Sequence, residues 1–228
     1  ELEGYAKDLY FLTDTFDLQI DEVVDCMHGN RVIPPRWGKA FGTYDTDVSK
    51  WVMGYIIGRE VQPNEVMITD AMHPGDTVYN GTIFGVPSGS PTETWFAKRL
   101  NRLVSYERQT YQTERPVSMS SWPTLDPIKH TNVLFPDEDT ASIDLSNLQF
   151  IDAPAGYFAS YHAYPYYPEF INRQESYLPY QDYYGPNSYL GYLYDLKSRY
   201  PDFPLIIAEF GTPGGWGVAH YSQSGMHH

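Results

Sequence analysis

The stretch PLIIAEFGTPGG, residues 204–215, places a run of apolar residues directly before one glutamate and a glycine-rich turn. The pattern predicts a buried strand over 205–210 that runs into Glu209 near its end. An ionised carboxylate is costly to bury without partners, so a glutamate in this position either reaches water or has a chemical role. The remaining sequence has to distinguish these two explanations.

A second stretch, WVMGYIIGRE at residues 51–60, repeats this arrangement, with Glu60 after the apolar run and a loop containing Pro63 behind it. Runs of this kind predict short strands, which are interspersed with amphipathic helical patterns. The predicted strands cover 8–12, 53–60, 117–122, 157–164 and 205–210. The helical patterns cover 20–27, 93–106 and 189–200, and the polar residues 30–49 are expected to form a loop.

The alternation of strands and helices predicts βαβ units and a parallel sheet. Polar side chains stand near the ends of several strands, as in a (β/α)8 barrel, whose active site is built from many strand ends. These side chains are Glu60, Trp122, His162, Tyr164 and Glu209. No glycine-rich phosphate loop supports a doubly wound sheet instead. We therefore expect an α/β fold of the (β/α)8 TIM barrel type.

Only five strands are predicted, whereas a complete barrel has eight and about 250 residues. The expectation is thus an incomplete barrel with about strands 3 to 7 present, in one domain over residues 1–228. Strict alternation along the last strand places Leu205 and Ile207 on the same side as Glu209. One glutamate at a strand end easily arises by chance, but two, Glu60 and Glu209, do so less easily, which favours a chemical role for the pair.

Composition excludes several classes of function. The formal charge of −14 disfavours nucleic-acid binding, because such a field repels phosphate backbones. The single cysteine, Cys26, permits no intrachain disulfide, and no apolar run of 18 residues predicts a membrane span. The compartment stays open, with an extracellular or cell-surface location favoured over the cytoplasm. The oligomeric state is not determined by the sequence.

A carboxyl pair is what glycosidic bond cleavage requires, one group acting as acid/base and the other as nucleophile or base. The aromatic content of 16%, with 21 tyrosines, suits both a core and the stacking of sugar rings. GYIIGRE, YFASYHAYP and IIAEFG together resemble the clan A glycoside hydrolases, retaining enzymes on (β/α)8 barrels, and in particular poorly characterised bacterial members. The resemblance runs from about residue 50 to 216.

The resemblance implies a role for each matching residue. Glu60 corresponds to the acid/base and Glu209 to the nucleophile, while His162 and Tyr164 correspond to positions that bind the nucleophile or the sugar. Where the family has an asparagine before the acid/base, this sequence has Arg59. An arginine directed at Glu60 would favour the ionised carboxylate, which cannot donate a proton. Arg59 therefore either faces away from the site or binds an anionic group of the substrate.

The predicted function is hydrolysis of an oligo- or polysaccharide by a retaining, two-glutamate mechanism, with Tyr166, Trp122 and Trp216 as further sugar-binding residues. The alternative is a catalytically silent carbohydrate-binding barrel, which Arg59 favours. No cofactor is expected. A metal site is not expected either, because Asp70 and His73 supply too few ligands, and the histidines near the end of the chain lack carboxylate spacing. Which sugar and which linkage are cleaved does not follow from the sequence.

Overall fold

The computed structural model describes residues 8–120, 122–134 and 139–211. Its α-helices are α1 (Thr13–Met27), α2 (Pro63–Met72), α3 (Pro91–Tyr111) and α4 (Ser188–Arg199). Its strands are β1 (Arg31–Ile33), β2 (Gly42–Tyr44), β3 (Tyr55–Ile57), β4 (Tyr79–Asn80), β5 (Phe84–Val86), β6 (Val117–Met119), β7 (Gln149–Phe150), β8 (Ala159–His162), β9 (Gln181–Asp182), β10 (Gly185–Pro186) and β11 (Leu205–Glu209). Short 3-10 helices cover Leu9–Leu12, Ser49–Trp51, Pro123–Leu125, Leu145–Asn147 and Glu169–Asn172.

The longest helix, α3, carries the local signals that a helix of this length needs. Ser90 and Glu93 form a reciprocal capping box, with Pro91 in the first turn, and the helix ends at Gln112 in the left-handed conformation. Its apolar side chains, among them Trp95 and Phe96, are almost completely buried in the main apolar cluster. The helical pattern expected over 93–106 is confirmed, and the caps extend it at both ends.

Parallel pairing joins the strands that carry the predicted site. β3 pairs with β6, and β8 pairs with β11, each pair being parallel. A single parallel bridge between Val117 and Tyr157 links the two pairs. The carboxyl ends of these four strands therefore lie toward the same edge. Antiparallel pairing occurs elsewhere, in the β4–β5–β7 sheet and in the β1–β2 and β9–β10 pairs.

The expected (β/α)8 TIM barrel, even as an incomplete one, is contradicted. The described residues form sheets of two or three strands and no closed barrel. A barrel closes only when every strand is hydrogen-bonded on both sides. Among the described residues, β3 pairs only with β6 and β11 only with β8. The fold is a mixed α/β arrangement of short sheets, in which strand–helix alternation predicted the parallel pairs correctly but not their closure.

Two local predictions were also wrong. Residues 8–12 form no strand: Leu9–Leu12 is a 3-10 helix that continues directly into α1, because the Asp8 side chain accepts a hydrogen bond from the Tyr10 amide. The loop expected over 30–49 contains the β1–β2 pair. Strands of only three residues leave little periodic signal.

Helices α1, α2 and α3 contribute to one continuous apolar cluster that also includes residues of β3, β6 and β8. Of the helices in the described ranges, none combines the length and apolarity that crossing a membrane requires.

Candidate functional site

The segment after β3 fixes the position of Glu60. Gly58 has a φ of 97°, a left-handed conformation that favours glycine, and its turn directs the chain away from the strand. α2 then begins at Pro63, with a capping box between Gln62 and Glu65. Glu60 is thus held in a short connection between a strand and a capped helix, with its carboxylate one-third exposed.

Arg59 faces away from the Glu60 carboxylate. Its guanidinium donates two hydrogen bonds, of 2.9 and 2.5 Å, to the carboxylate of Glu65, which is completely buried. It reaches Glu60 only at the backbone carbonyl oxygen, at 3.2 Å. Of the two arrangements that the sequence left open, the structure has the one in which the arginine points elsewhere. A role of Arg59 in binding substrate stays a prediction.

His162, at the end of β8, lies between the two predicted catalytic glutamates. Its Nδ1 is 2.7 Å from Glu60 Oε1 and 3.3 Å from Glu209 Oε2. Its Nε2 lies 3.0 Å from the hydroxyl oxygen of Ser120, which immediately follows β6. The imidazole is largely buried, and both of its ring nitrogens have partners.

Strand register brings Glu209 to this imidazole. In the parallel β8–β11 pair, Ile207 is opposite Tyr161, and a register shift then places Glu209 rather than Ala208 opposite His162. A one-residue change in register moves a side chain to the other face of a strand. The alternation expected from Leu205 through Ile207 to Glu209 therefore does not hold across the irregularity, which itself directs Glu209 toward the site.

Two tyrosines border the cluster on the side of Glu209. The Tyr164 hydroxyl donates a short hydrogen bond to Glu209 Oε1. Burial, followed by the bond to this carboxylate, raises the pKa of Tyr164 above its usual range, so its hydroxyl stays protonated and able to donate. The Tyr166 ring lies beside Tyr164, with centroids 5.6 Å apart.

Trp122 is half-buried and packs against the apolar cluster, while its indole Nε1 donates a 2.8 Å hydrogen bond to the Tyr167 hydroxyl. Because the indole group is already bonded, only its ring face remains for a sugar. Trp216 lies outside the described residues. The sugar-binding roles proposed for both tryptophans stay predictions.

Sequence reasoning missed Ser120 as a site residue. It belongs to the stretch PVSMSSWP, whose serines are indistinguishable in sequence, and only its place after β6 brings it to His162. Its strand-end position matches that of the other site residues, and its burial is similar to that of His162. The signal that could have found it is the same one that identified Glu60 and Glu209, a polar residue where a predicted strand ends.

The carboxylates of Glu60 and Glu209 lie close together. One oxygen of each and one ring nitrogen of His162 all lie within 4.8 Å of one another, a set of donors that could also hold a metal ion. Within the described ranges, each of these two carboxylates forms its ion pair with His162. The site therefore places two carboxyl groups around one shared imidazole partner.

In comparisons with protein-family models, curated proteins and solved structures, no match to this chain was found. The resemblance to clan A glycoside hydrolases therefore stays an expectation from the sequence motifs. What the structure adds is the arrangement of Glu60, Ser120, His162, Tyr164 and Glu209 at one edge of the parallel strands.

Proposed function

We propose that the protein is a retaining glycoside hydrolase in which Glu209 is the nucleophile and Glu60 the acid/base. The observation that carries this proposal is the separation of the two carboxylates, an oxygen of each lying within 4.8 Å of the other. Retaining enzymes hold their carboxyl groups about 5 to 5.5 Å apart, whereas inverting enzymes leave room for water at about 6.5 to 9.5 Å. Facing oxygens within 4.8 Å are compatible with the shorter, retaining separation and so support direct attack by a carboxylate.

The surroundings of Glu209 suit a nucleophile. The Tyr164 hydroxyl donates to Oε1 and so fixes the orientation of the carboxylate. The side chain of Glu209 is about half exposed at 53%, which leaves room for a sugar beside it. Attack on the anomeric carbon would form a glycosyl ester at this residue and release the leaving group.

The contact between Glu60 and His162 suits an acid/base. At 2.7 Å the two groups share a hydrogen bond in which the proton resides on either the carboxyl oxygen or Nδ1. Ser120 accommodates both arrangements, because its hydroxyl can donate to Nε2 or accept from it. Glu60 can therefore hold a proton for the leaving group and later accept one from water.

Arg59 no longer favours the silent carbohydrate-binding alternative. Its guanidinium is directed to Glu65, so it does not hold Glu60 in the ionised form. If Glu209 does not react, the alternative function, carbohydrate binding without catalysis, is the one we expect.

Covalent labelling tests the proposal. A panel of activated 2-fluoro and 5-fluoro glycosides traps glycosyl-enzyme intermediates in retaining enzymes because the fluorine slows the second step. We expect the intact mass to increase by one fluoroglycosyl group with at least one sugar, and peptide mapping to place it on Glu209. Glu209→Gln serves as the control and should gain no mass. If a glycan binds saturably but no probe labels the protein, the glycoside hydrolase proposal is wrong and the carbohydrate-binding function is supported instead.

A second candidate function is acyl-ester hydrolysis with Ser120 as nucleophile. Its support is specific: Ser120 Oγ lies 3.0 Å from Nε2 of His162, and Glu60 lies 2.7 Å from Nδ1 of the same ring. These contacts on opposite nitrogens match the serine, histidine and carboxylate order of hydrolytic triads. Against it stands the burial of Ser120, which is only 6% exposed.

A fluorophosphonate probe separates this candidate from the first. An active serine gains covalent mass from the probe, whereas a serine that only orients His162 does not. We expect no labelling of Ser120 under conditions in which a fluoroglycoside labels Glu209. Labelling at Ser120 that is lost in His162→Ala would establish the second candidate instead.

A further inference from the structure

We propose that Glu60, His162 and Glu209 form a binding site for one divalent transition-metal ion of the kind that accepts mixed carboxylate and imidazole ligands, such as Zn²⁺ or Mn²⁺. The ion would be bound by one oxygen of each glutamate and by Nδ1 of His162. Binding of the ion follows from these donors alone. Its consequence, inhibition of hydrolysis, rests on the proposed function.

The donor set is compact and comes from three separate elements. The three ligand atoms lie within 4.8 Å of one another, and Nδ1 is 2.7 and 3.3 Å from the two carboxylate oxygens. Bonds of about 2.0 to 2.2 Å to such ligands place donor atoms no more than about 4.4 Å apart. A small rotation of the half-exposed Glu209 side chain suffices to close any remaining gap.

The ligands are oriented by a second layer of hydrogen bonds, as in functional metal sites. Tyr164 donates to the Glu209 oxygen that would not bind the ion. Ser120 faces the Nε2 of His162 at 3.0 Å. When Nδ1 binds a metal, the ring proton is on Nε2, and the Nε2–H group can donate a hydrogen bond to the Ser120 hydroxyl oxygen. The imidazole can thus become a ligand without leaving a buried polar atom unpaired.

Charge also favours a cation at this position. Two carboxylates lie within 4.8 Å of each other, and His162 is their ion-pair partner in the described part of the chain. The whole chain carries a formal charge of −14, which raises the local concentration of cations. A divalent ion would neutralise both carboxylates, leaving water or a solute in its remaining coordination positions.

An ion bound here would block the chemistry proposed for the same residues. Glu209 could not attack an anomeric carbon through an oxygen that is bound to metal, and Glu60 could not hold its proton. Metal binding and glycoside hydrolysis would therefore exclude each other. The cluster would act as a metal-inhibited active site, in which removal of the ion by a chelator restores activity.

Isothermal titration of the metal-free full chain with ZnCl₂ and with MnCl₂ tests the site. His220, His227 and His228 lie near the end of the sequence and could bind Zn²⁺ themselves, so the titration is performed in the background H220Q/H227Q/H228Q. We expect one equivalent of ion to bind. Glu209→Gln should weaken binding at least about tenfold, and Ser120→Ala about tenfold through loss of ligand orientation.

His73→Ala is the matched control, because His73 also has a carboxylate partner, with its Nε2 2.9 Å from Asp8, but is not part of the Glu60–His162–Glu209 cluster. It should leave the affinity unchanged. The absence of saturable binding in the background chain, or equal affinities for the background and Glu209→Gln, would overturn the site. Because the Glu209 side chain is about half exposed, Glu209→Gln is expected to leave the fold intact, so a loss of affinity reports on metal binding.

The two proposals fail in distinguishable ways. If one equivalent of metal ion binds but no fluoroglycoside labels the chain, the metal-site proposal stands and the glycosidase proposal is wrong. Hydrolysis of an aryl glycoside that persists when calorimetry shows the ion to be bound would contradict the inhibition. If the protein hydrolyses glycosides but shows no saturable metal binding, only the metal-site proposal is wrong.

Discussion

Arg59 binds Glu65 through two guanidinium nitrogens, at 2.9 and 2.5 Å, and thereby closes the connection between β3 and α2. Glu65 also accepts a 3.0 Å hydrogen bond from the Gln62 amide as part of the helix cap. One ion pair thus holds the segment that carries Glu60. The same pair keeps the arginine away from the proposed acid/base.

Arg59→Ala should therefore lower stability before it affects chemistry. The change leaves the fully buried Glu65 carboxylate without its partner, which costs on the order of 3 kcal/mol. Arg36→Ala breaks a pair with Glu22 whose side chains are 35% and 18% exposed, and it should cost only about 1 kcal/mol. Urea unfolding of both variants measures the difference. An unchanged unfolding midpoint with a raised KM in Arg59→Ala would instead indicate substrate binding.

Glu60→Ala should be rescued by azide. Azide attacks the glycosyl-enzyme without a general base, so deglycosylation recovers while a substrate with a good leaving group needs no acid. The product should be a glycosyl azide of retained configuration, identified by NMR. Glu209→Ala with azide should give the inverted configuration, because azide then replaces the nucleophile. The same configuration from both variants would contradict the assigned roles.

Tyr164→Phe should lower kcat by about a hundredfold while the chain stays folded, since it removes one donor to Glu209 at a reacting group. The raised pKa of Tyr164 means that its hydroxyl stays a donor through neutral and mildly alkaline pH. Tyr184→Phe, at a side chain that is 93% exposed, is the control and should have wild-type kinetics. Steady-state assays with aryl glycosides compare the two, and equal kcat values would exclude the role of Tyr164.

Ser120→Ala should reduce kcat by about tenfold without abolishing turnover, because it removes the group that orients His162 but no reacting atom. Ser120→Thr keeps a hydroxyl and should recover part of the loss. Thermal unfolding accompanies the kinetics, since Ser120 is buried. Complete loss of turnover in Ser120→Ala with unchanged folding would favour the serine nucleophile.

Several elements were predictable from local sequence. The apolar periodicity of α3 and α4 and the short apolar runs at β3, β6, β8 and β11 carry enough signal to be recognised. The closed barrel was wrong because closure depends on pairing at the outer edges of β3 and β11, which no local pattern encodes. The helical start at Leu9 was missed because one side chain, Asp8, caps it.

The sequence by itself predicted Glu60, His162, Tyr164 and Glu209 as candidate site residues, because polar residues that follow apolar runs can be recognised from local sequence. Only the tertiary structure decided how they meet. The register shift in β11 turns Glu209 toward His162, the buried Glu65 draws Arg59 away, and the bridge between Val117 and Tyr157 links the strand before Ser120 to the one that ends at His162. Each of these depends on contacts between residues far apart in the chain, where hydrogen-bond geometry and the cost of burying an unpaired charge select one arrangement.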